Sequence, residues 1–97
     1  VSSSRPVPPN LAYNVKIDAD LMWLNAYKSS SHQVYFGVDK ISVKQANTQS
    51  AQYQGEFKQN IFTPKKLKKG GNYYWRVDAI VKDKVIKGDV WSFTVTQ

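Results

Sequence analysis

The 97-residue chain can form one domain around a single hydrophobic core, since 41% of its residues are apolar and 13% are aromatic. It has no cysteine, which excludes disulfides and thiolate metal sites, and no apolar run approaches the roughly 20 residues that span a bilayer. Fourteen Lys and Arg against seven Asp and Glu give a formal charge of +7, which favours polyanionic partners or serves only to keep the surface soluble.

The N-terminal residues 1–9 are predicted to be a linker that leads into one module over residues 10–97. Ser2-Ser3-Ser4 favours flexibility, while three nearby prolines favour an extended backbone and lack N–H donors. The serine- and proline-rich composition, and a first residue other than Met, lead us to expect an excised module with a further domain upstream.

Polar breaks separate short apolar runs in the rest of the chain, with no convincing 3.6-residue period. Residues 11–15 are predicted to form a short edge strand. Residues 20–24 are predicted to form a strand in which Leu21 and Trp23 share one face.

The next predicted strand covers residues 32–38, with Val34 and Phe36 on one face and Tyr35 on the other. A polar region, residues 39–54, follows it. Its sparse apolar residues predict a short edge strand or a loop.

The C-terminal half contains the longest predicted strand. Residues 57–63 are predicted to form a strand that Pro64 ends, and residues 82–84 a hairpin tip before a last strand over 90–96. The longest strand, residues 73–81, has four core-facing positions: Tyr73, Trp75, Val77 and Ala79.

About seven short strands at this spacing predict an all-β fold, an antiparallel two-sheet β-sandwich. Five aromatic residues are in phase to meet between sheets roughly 10 Å apart. They are Trp23, Phe36, Trp75, Trp91 and Phe93.

The turn over residues 65–71 carries a further signal. Leu67 stands six positions before Tyr73, at the start of the longest strand. This spacing suits a tyrosine corner, in which the tyrosine hydroxyl bonds back to the preceding loop.

Five short segments in this order resemble the fibronectin type III superfamily, and more narrowly the small modules of secreted bacterial polysaccharide-active enzymes and surface proteins. They are Leu21-Met22-Trp23, Val34-Tyr35-Phe36-Gly37, Leu67 through Tyr73, Tyr74-Trp75-Arg76-Val77-Asp78 and Gly88-Asp89-Val90-Trp91-Ser92-Phe93-Thr94. The resemblance covers nearly the whole chain after the predicted linker. It departs from the family at Lys68-Lys69-Gly70-Gly71, where Pro-Gly is common, and the chain has no Arg-Gly-Asp.

The resemblance implies an immunoglobulin-like sandwich without catalytic activity. We therefore expect a monomeric accessory or spacer module of a secreted or cell-surface bacterial protein. The parent protein is expected to be a polysaccharide-degrading enzyme. Its termini would lie at opposite ends, and its partners would be the neighbouring domains of the same chain. Fold alone does not decide between spacer and binding roles.

The residues themselves offer little for catalysis. His32 is the only histidine and is expected to be structural or exposed. The seven acidic residues are scattered, whereas a glycosidase needs two carboxyls roughly 5–10 Å apart across a cleft. Asp18 and Asp20 share one side of an extended segment but lack the further oxygen ligands of a calcium loop. We expect no enzyme activity, metal or cofactor.

Two features favour a binding alternative, a carbohydrate-binding module for a sulfated or uronic polysaccharide. One is a cluster of lysines on the turn that could grip anionic groups in a salt-sensitive manner. These lysines are Lys65, Lys66, Lys68 and Lys69. The alternative is a solvated turn whose lysines maintain solubility and discourage sheet association.

The other feature is the predicted outward face of the longest strand. Tyr74 and Arg76, with Tyr35 on the neighbouring strand, could stack on sugar rings and bond their hydroxyls. The alternative is cross-strand packing with Arg76 paired to a nearby acid. Basic and aromatic residues together also suit single-stranded nucleic acid, but the fold lacks the usual modules, so we expect no nucleic acid partner.

Overall fold

Two packed β-sheets and one short helix make up the computed structural model, which describes residues 2–97. The helix, α1, covers Lys40–Gln45. The strands are β1 Ser4–Val7, β2 Ala12–Val15, β3 Leu21–Leu24, β4 Ser31–Gly37, β5 Tyr53–Phe57, β6 Ile61–Phe62, β7 Asn72–Val81, β8 Lys84–Ile86 and β9 Val90–Val95.

The small sheet has the order β1-β3-β6, and the large sheet has the order β2-β9-β7-β4-β5, with β8 paired to β7. The predicted all-β, sandwich-like architecture is confirmed. The prediction that all strands are antiparallel is wrong, because the edge strand β2 runs parallel to β9 and makes the large sheet mixed.

Residues 4–7 lie within the predicted linker, yet they form β1. Ser4 pairs with Leu24 and Val7 with Met22 of β3. Because β1 is an edge strand, Pro6 is tolerated there although it has no N–H to donate to a ladder. The folded part of the chain therefore begins before residue 10, whereas Val1 lies outside the described residues.

The core between the sheets follows the predicted alternation. Trp75 is fully buried, with its ring 6.1 Å from that of Trp23 and 4.8 Å from that of Trp91. Phe36 and Phe93 pack into the same cluster. All five predicted core aromatics therefore lie between the sheets, and the four core-facing positions of β7 are buried.

The polar region 39–54 is predicted to contain a short edge strand or a loop. That prediction is wrong for the residues of α1, which form a helix. Asp39 caps this helix: its carboxylate accepts hydrogen bonds from the backbone N–H and the hydroxyl of Ser42, at 2.9 and 2.8 Å. These bonds hold the pKa of Asp39 below its ordinary value. Val43 and Ala46, three residues apart, face the sheet and are buried.

The single strand predicted over residues 57–63 is also wrong, because the chain changes sheets within it. β5 ends at Phe57 in the large sheet, and β6 lies in the small sheet. Asn60, in the crossing, donates from Nδ2 to the carbonyl of Trp23 at 2.8 Å. The rings of Phe57 and Phe62 nevertheless meet, with centroids 5.8 Å apart.

The predicted hairpin tip joins β7 to β8, a strand that the sequence interpretation missed. Lys82 and Asp83 have φ values of 50° and 66°, so both central residues are left-handed. This is the conformation of the two-residue type I′ turn, whose twist matches paired strands.

The first and last strands reach opposite ends of the molecule, which is 39 Å along its longest axis. Ser4 of β1 pairs with Leu24, and the loop after β3 bonds Ile80 near the end of β7. Thr94 of β9 pairs with Asn72 at the start of β7. The ten residues of β7 span roughly 33 Å at about 3.3 Å per residue, so the two ends of the fold are well separated.

The predicted tyrosine bond to the preceding loop is present. The hydroxyl of Tyr73 accepts a hydrogen bond from the backbone N–H of Lys68 at 2.8 Å, and Leu67 is buried beside it in the core. The bond closes the turn between β6 and β7 against the sheet.

Replacing Tyr73 with phenylalanine should lower the free energy of unfolding by about 1–2 kcal/mol, because the part-buried N–H of Lys68 loses its acceptor. Tyr74→Phe is the matched control, since the Tyr74 hydroxyl makes no hydrogen bond to residues 2–97, and it should change stability by less than about 0.5 kcal/mol. Urea denaturation of both variants measures the difference. Equal losses would contradict the role of the corner.

His32 is buried on the core side of β4, where its ring meets that of Trp23 edge-on at 5.5 Å. Its Nδ1 has no hydrogen-bond partner in residues 2–97. Burial lowers the pKa of His32, because the charged imidazolium loses hydration.

The free energy of unfolding should therefore fall as pH decreases below about 6.5, because the unfolded chain then binds a proton that the folded chain resists. Above that pH both states are neutral at this residue and stability should be flat. Denaturation between pH 7.5 and 5 covers the titration of His32, which is the only histidine in the chain. A His32→Gln variant should lose the slope; a slope that persists in it would assign the effect to other groups.

Candidate functional site

Arg76 organises the outer face of the large sheet from a buried position beneath α1. Its guanidinium donates twice to the carboxylate of Asp78, both at 2.9 Å. Three further bonds of 2.8–2.9 Å reach the carbonyls of Val43, Lys44 and Ala46 at the end of α1. All five guanidinium N–H groups are thus used, and they fix the helix to the sheet.

Tyr35 packs against the same group, with its ring centroid 4.0 Å from Cζ of Arg76. Burial, and then the negative charge of Asp78, raise the pKa of the Tyr35 hydroxyl. Asp78 also accepts a hydrogen bond from the backbone N–H of Gly88 at 2.9 Å, which ties the loop between β8 and β9 to this network.

The predicted outward exposure of Tyr35 and Arg76 is therefore wrong. Both residues are only 2% exposed, because α1 covers them. The packing alternative describes them correctly, with Asp78 as the acid paired to Arg76. Neither residue offers a surface to a sugar ring.

The predicted lysine cluster lies on the turn between β6 and β7, which we call the lysine turn. Its members Lys65, Lys66, Lys68 and Lys69 are all exposed. Leu67 points inward to the core between them. Tyr74 is not part of this cluster, since it faces the side of the large sheet opposite Tyr73, whose hydroxyl bonds the turn. Glycan binding by the turn stays a prediction.

Tyr74 lines a different feature, which we call the α1–β9 groove. Two hollows of about 480 and 380 Å³ adjoin there, sharing the walls formed by Lys40 and Val90. The larger is completed by Lys44, Lys87, Gly88 and Asp89, and the smaller by Asn10, Leu11, Tyr74 and Ser92.

Each wall of the groove is held by backbone contacts. Lys40 and Lys44 are one helical turn apart on α1, which Arg76 secures. The opposite wall is the loop between β8 and β9, and it packs closely on β7 at Gly88. A side chain at Gly88 would not fit, since an added Cβ would collide with the carbonyl of Val77. This close approach places Lys87 and Asp89 across from α1.

The smaller hollow is closed by the segment between β1 and β2. The N–H of Leu11 donates to the carbonyl of Ser92 at 2.8 Å, and the N–H of Ser92 donates to Oδ1 of Asn10 at 2.9 Å. These bonds fix Leu11 on the rim, although its side chain is 74% exposed.

The charge of the groove is predominantly positive. Three lysines line it against the single carboxylate of Asp89. Within residues 2–97, Arg76–Asp78 is the one ion pair, so Lys40, Lys44 and Lys87 have no acidic partner there. The groove therefore presents ammonium groups beside apolar surface from Val90 and Tyr74.

The sequence interpretation identified Tyr74 but missed the groove lysines. Lys40 and Lys44 stand at the i, i+4 spacing of neighbours on a helix face, yet that signal is informative only once α1 is recognised. Lys87 is more than forty residues away in sequence, and nothing local links it to them.

A second surface lies on the outer face of the small sheet. Val7 pairs with Met22, which pairs with Ile61, so three exposed apolar side chains form one row across the sheet. Because the row lies on the other sheet, it is separate from the α1–β9 groove.

In the described part of the chain, no three or more His, Asp or Glu side chains come together as a metal site. No helix between residues 2 and 97 is long and apolar enough to cross a membrane.

No protein-family model, curated protein or solved structure matches the chain.

Proposed function

We propose that the chain is a non-catalytic accessory module of a multidomain secreted bacterial protein, a polysaccharide-degrading enzyme, in which it holds neighbouring domains at a set separation. The observation that carries this proposal is the position of its ends. β1 and β9 reach opposite ends of a body 39 Å long, so entering and leaving chain segments are kept apart.

The proposal includes membership of the fibronectin type III superfamily. The tyrosine corner at Tyr73 supports it, since this bond is characteristic of immunoglobulin-like sandwiches. Strand order supports it too, because the chain changes sheets after β1, β2, β3, β5 and β6, and repeated crossing between sheets is typical of Greek-key sandwiches.

The packing suits a rigid connector. The central strand β7 runs the length of the large sheet and is paired along its length with β4, β8 and β9. The sheets are joined by a continuous core that contains three tryptophans, Trp23, Trp75 and Trp91. Bending the module would open this core to water, which disfavours flexing between the two ends.

Spin labels at Ser4→Cys and Gln97→Cys test the geometry, since the chain has no native cysteine. Pulsed electron resonance should give one narrow distance distribution near the 39 Å extent. The control pair Ser4→Cys and Asp83→Cys, both at the same end, should give a shorter distance. A broad distribution for the first pair would overturn the rigid connector.

The coding sequence around the module tests its context. We expect a polysaccharide-active catalytic domain and an export signal on the same polypeptide, and no polysaccharide turnover by the isolated module. A parent without either feature would overturn the proposed setting, and turnover by the module would overturn its non-catalytic role.

A second candidate function is binding of an anionic polysaccharide. The exposed lysines without acidic partners, at the α1–β9 groove and the lysine turn, favour it within a chain of charge +7. Affinity electrophoresis should show retardation in gels that contain a sulfated or uronic polysaccharide, lost at high salt, and none in neutral dextran. Equal mobility in all gels would exclude this function.

A further inference from the structure

We propose that the α1–β9 groove, rather than the lysine turn, is the site at which an anionic polysaccharide binds. The uronic carboxylates or sulfates would contact Lys40, Lys44 and Lys87, and the sugar rings would lie on Tyr74 and Val90. This inference rests on the second candidate function and assigns its site.

The size of the groove suits part of an extended chain. Its hollows of about 480 and 380 Å³ each fall within the range of roughly 300–1,000 Å³ typical of small-molecule sites. They share Lys40 and Val90, so successive sugar units can occupy both without leaving the surface.

The lysines approach this space from both walls. Lys40 and Lys44 stand about 5–6 Å apart at Cβ on α1, and Lys87 lies on the opposite loop. An anionic group between them can accept charge-assisted hydrogen bonds from either side. Because the groove has three ammonium groups and the single carboxylate of Asp89, it attracts anions overall. Close to Asp89, however, the negative charge of the carboxylate disfavours an anionic group of the ligand.

Apolar side chains in the groove would contact the sugar rings of the polysaccharide, in addition to the lysines that contact its anionic groups. Sugar rings present C–H faces that pack on aromatic and aliphatic side chains, and the half-buried ring of Tyr74 lies beside Val90 in the groove. Leu11 extends this surface at the rim. Its φ of 69° is an uncommon conformation for a bulky residue, and the bond to Ser92 holds it there with its side chain in solvent.

The lysine turn has charge without this surface. Leu67, the apolar residue among its lysines, points into the core. An anionic chain at the turn would therefore meet exposed ammonium groups without an apolar wall, and exposed charge pairs contribute little to binding. The groove combines charge, concavity and an apolar wall.

Two charge-reversal variants of the whole chain separate the sites. Lys40→Glu/Lys44→Glu/Lys87→Glu changes the groove, and Lys65→Glu/Lys66→Glu/Lys68→Glu changes the turn by the same total charge. Polygalacturonate and heparin serve as probes in affinity electrophoresis, and circular dichroism confirms folding. The groove variant should raise the dissociation constant at least about tenfold, and the turn variant less than about threefold.

An uncharged variant tests the apolar wall. Leu11→Ser alters an exposed side chain and no ion, so it should weaken polygalacturonate binding about threefold without changing its dependence on salt. A wild-type affinity for Leu11→Ser would overturn the part of the proposal that extends the apolar contact to Leu11 at the rim.

The remaining outcomes are equally decisive. Equal losses in the two charge variants, or a larger loss at the turn, would overturn the groove while leaving polysaccharide binding intact. Absence of wild-type retardation would overturn both the site and the second candidate function, but not the connector role. Binding of single-stranded DNA as tight as that of either glycan would replace sugar recognition with general polyanion binding.

Discussion

Replacement of Arg76 by methionine should lower the free energy of unfolding by about 3–5 kcal/mol, the cost of leaving one member of a buried ion pair without its partner. Asp78 would remain 3% exposed with a negative charge and no cation, and three carbonyls at the end of α1 would each lose the hydrogen bond that Arg76 donates. Guanidinium chloride denaturation, followed by tryptophan fluorescence, measures the loss.

Three further variants identify its cause. Arg76→Lys keeps the charge but has too few donors for all five bonds, so it should be intermediate. Arg76→Met with Asp78→Leu removes both charges and should cost less than the sum of the single changes. Lys84→Met removes an exposed charge and should alter stability by less than about 0.5 kcal/mol. A loss below about 1 kcal/mol for Arg76→Met would contradict the proposed anchoring of α1.

The same anchor explains why the candidate site was difficult to predict. Residue alternation correctly placed Tyr74, Arg76 and Asp78 on the side of β7 away from the core, but that side is not all solvent-exposed. The bonds that cover Arg76 come from backbone carbonyls some 30 residues earlier in the chain. Every residue type has the same backbone carbonyl, so no sequence pattern indicates which carbonyls will accept these bonds.

The helix itself gives only a weak signal. α1 has six residues and buries Val43 and, just after its end, Ala46, too few positions to establish a helical period. Asp39 followed by Ser42 is its clearest start signal, and that pair is common in turns. Without α1, the groove lysines remain three unrelated surface charges.

Composition was misleading at the N-terminus for a related reason. Ser2-Ser3-Ser4 and the following prolines favour a linker when only local preferences count. The pairing of Ser4 and Val7 with β3 is a long-range contact, and an edge position removes the usual objection to proline. Tertiary pairing therefore overrides the local preference.

Features governed by short-range patterns could be predicted. The corner links Tyr73 to Lys68 across five residues, so its spacing is visible in the sequence. The two-residue alternation in β7 and β9 is carried by large aromatic groups, which makes the buried face unambiguous. Such patterns establish the sandwich-like fold but contain little about ligands.

The second large loss of stability is expected at Trp75, which the alternation in β7 places at the centre of the core. Trp75→Ala should lower the free energy of unfolding by about 3–5 kcal/mol, because the fully buried indole leaves a cavity between Trp23 and Trp91. The exposed Tyr13 gives the matched control, and Tyr13→Ala should cost less than about 0.5 kcal/mol. Both variants can be measured by urea denaturation with near-ultraviolet circular dichroism.

Trp75→Phe separates lost volume from lost polarity. The Nε1 of Trp75 has no hydrogen-bond partner in residues 2–97, so removing it relieves a buried donor, whose burial costs about 1–3 kcal/mol, while creating a smaller cavity. Phenylalanine should therefore cost much less than alanine at this position. Equal losses for the two variants would show that ring packing between Trp23 and Trp91 does not support the core, because the phenyl ring retains most of the packing that alanine removes.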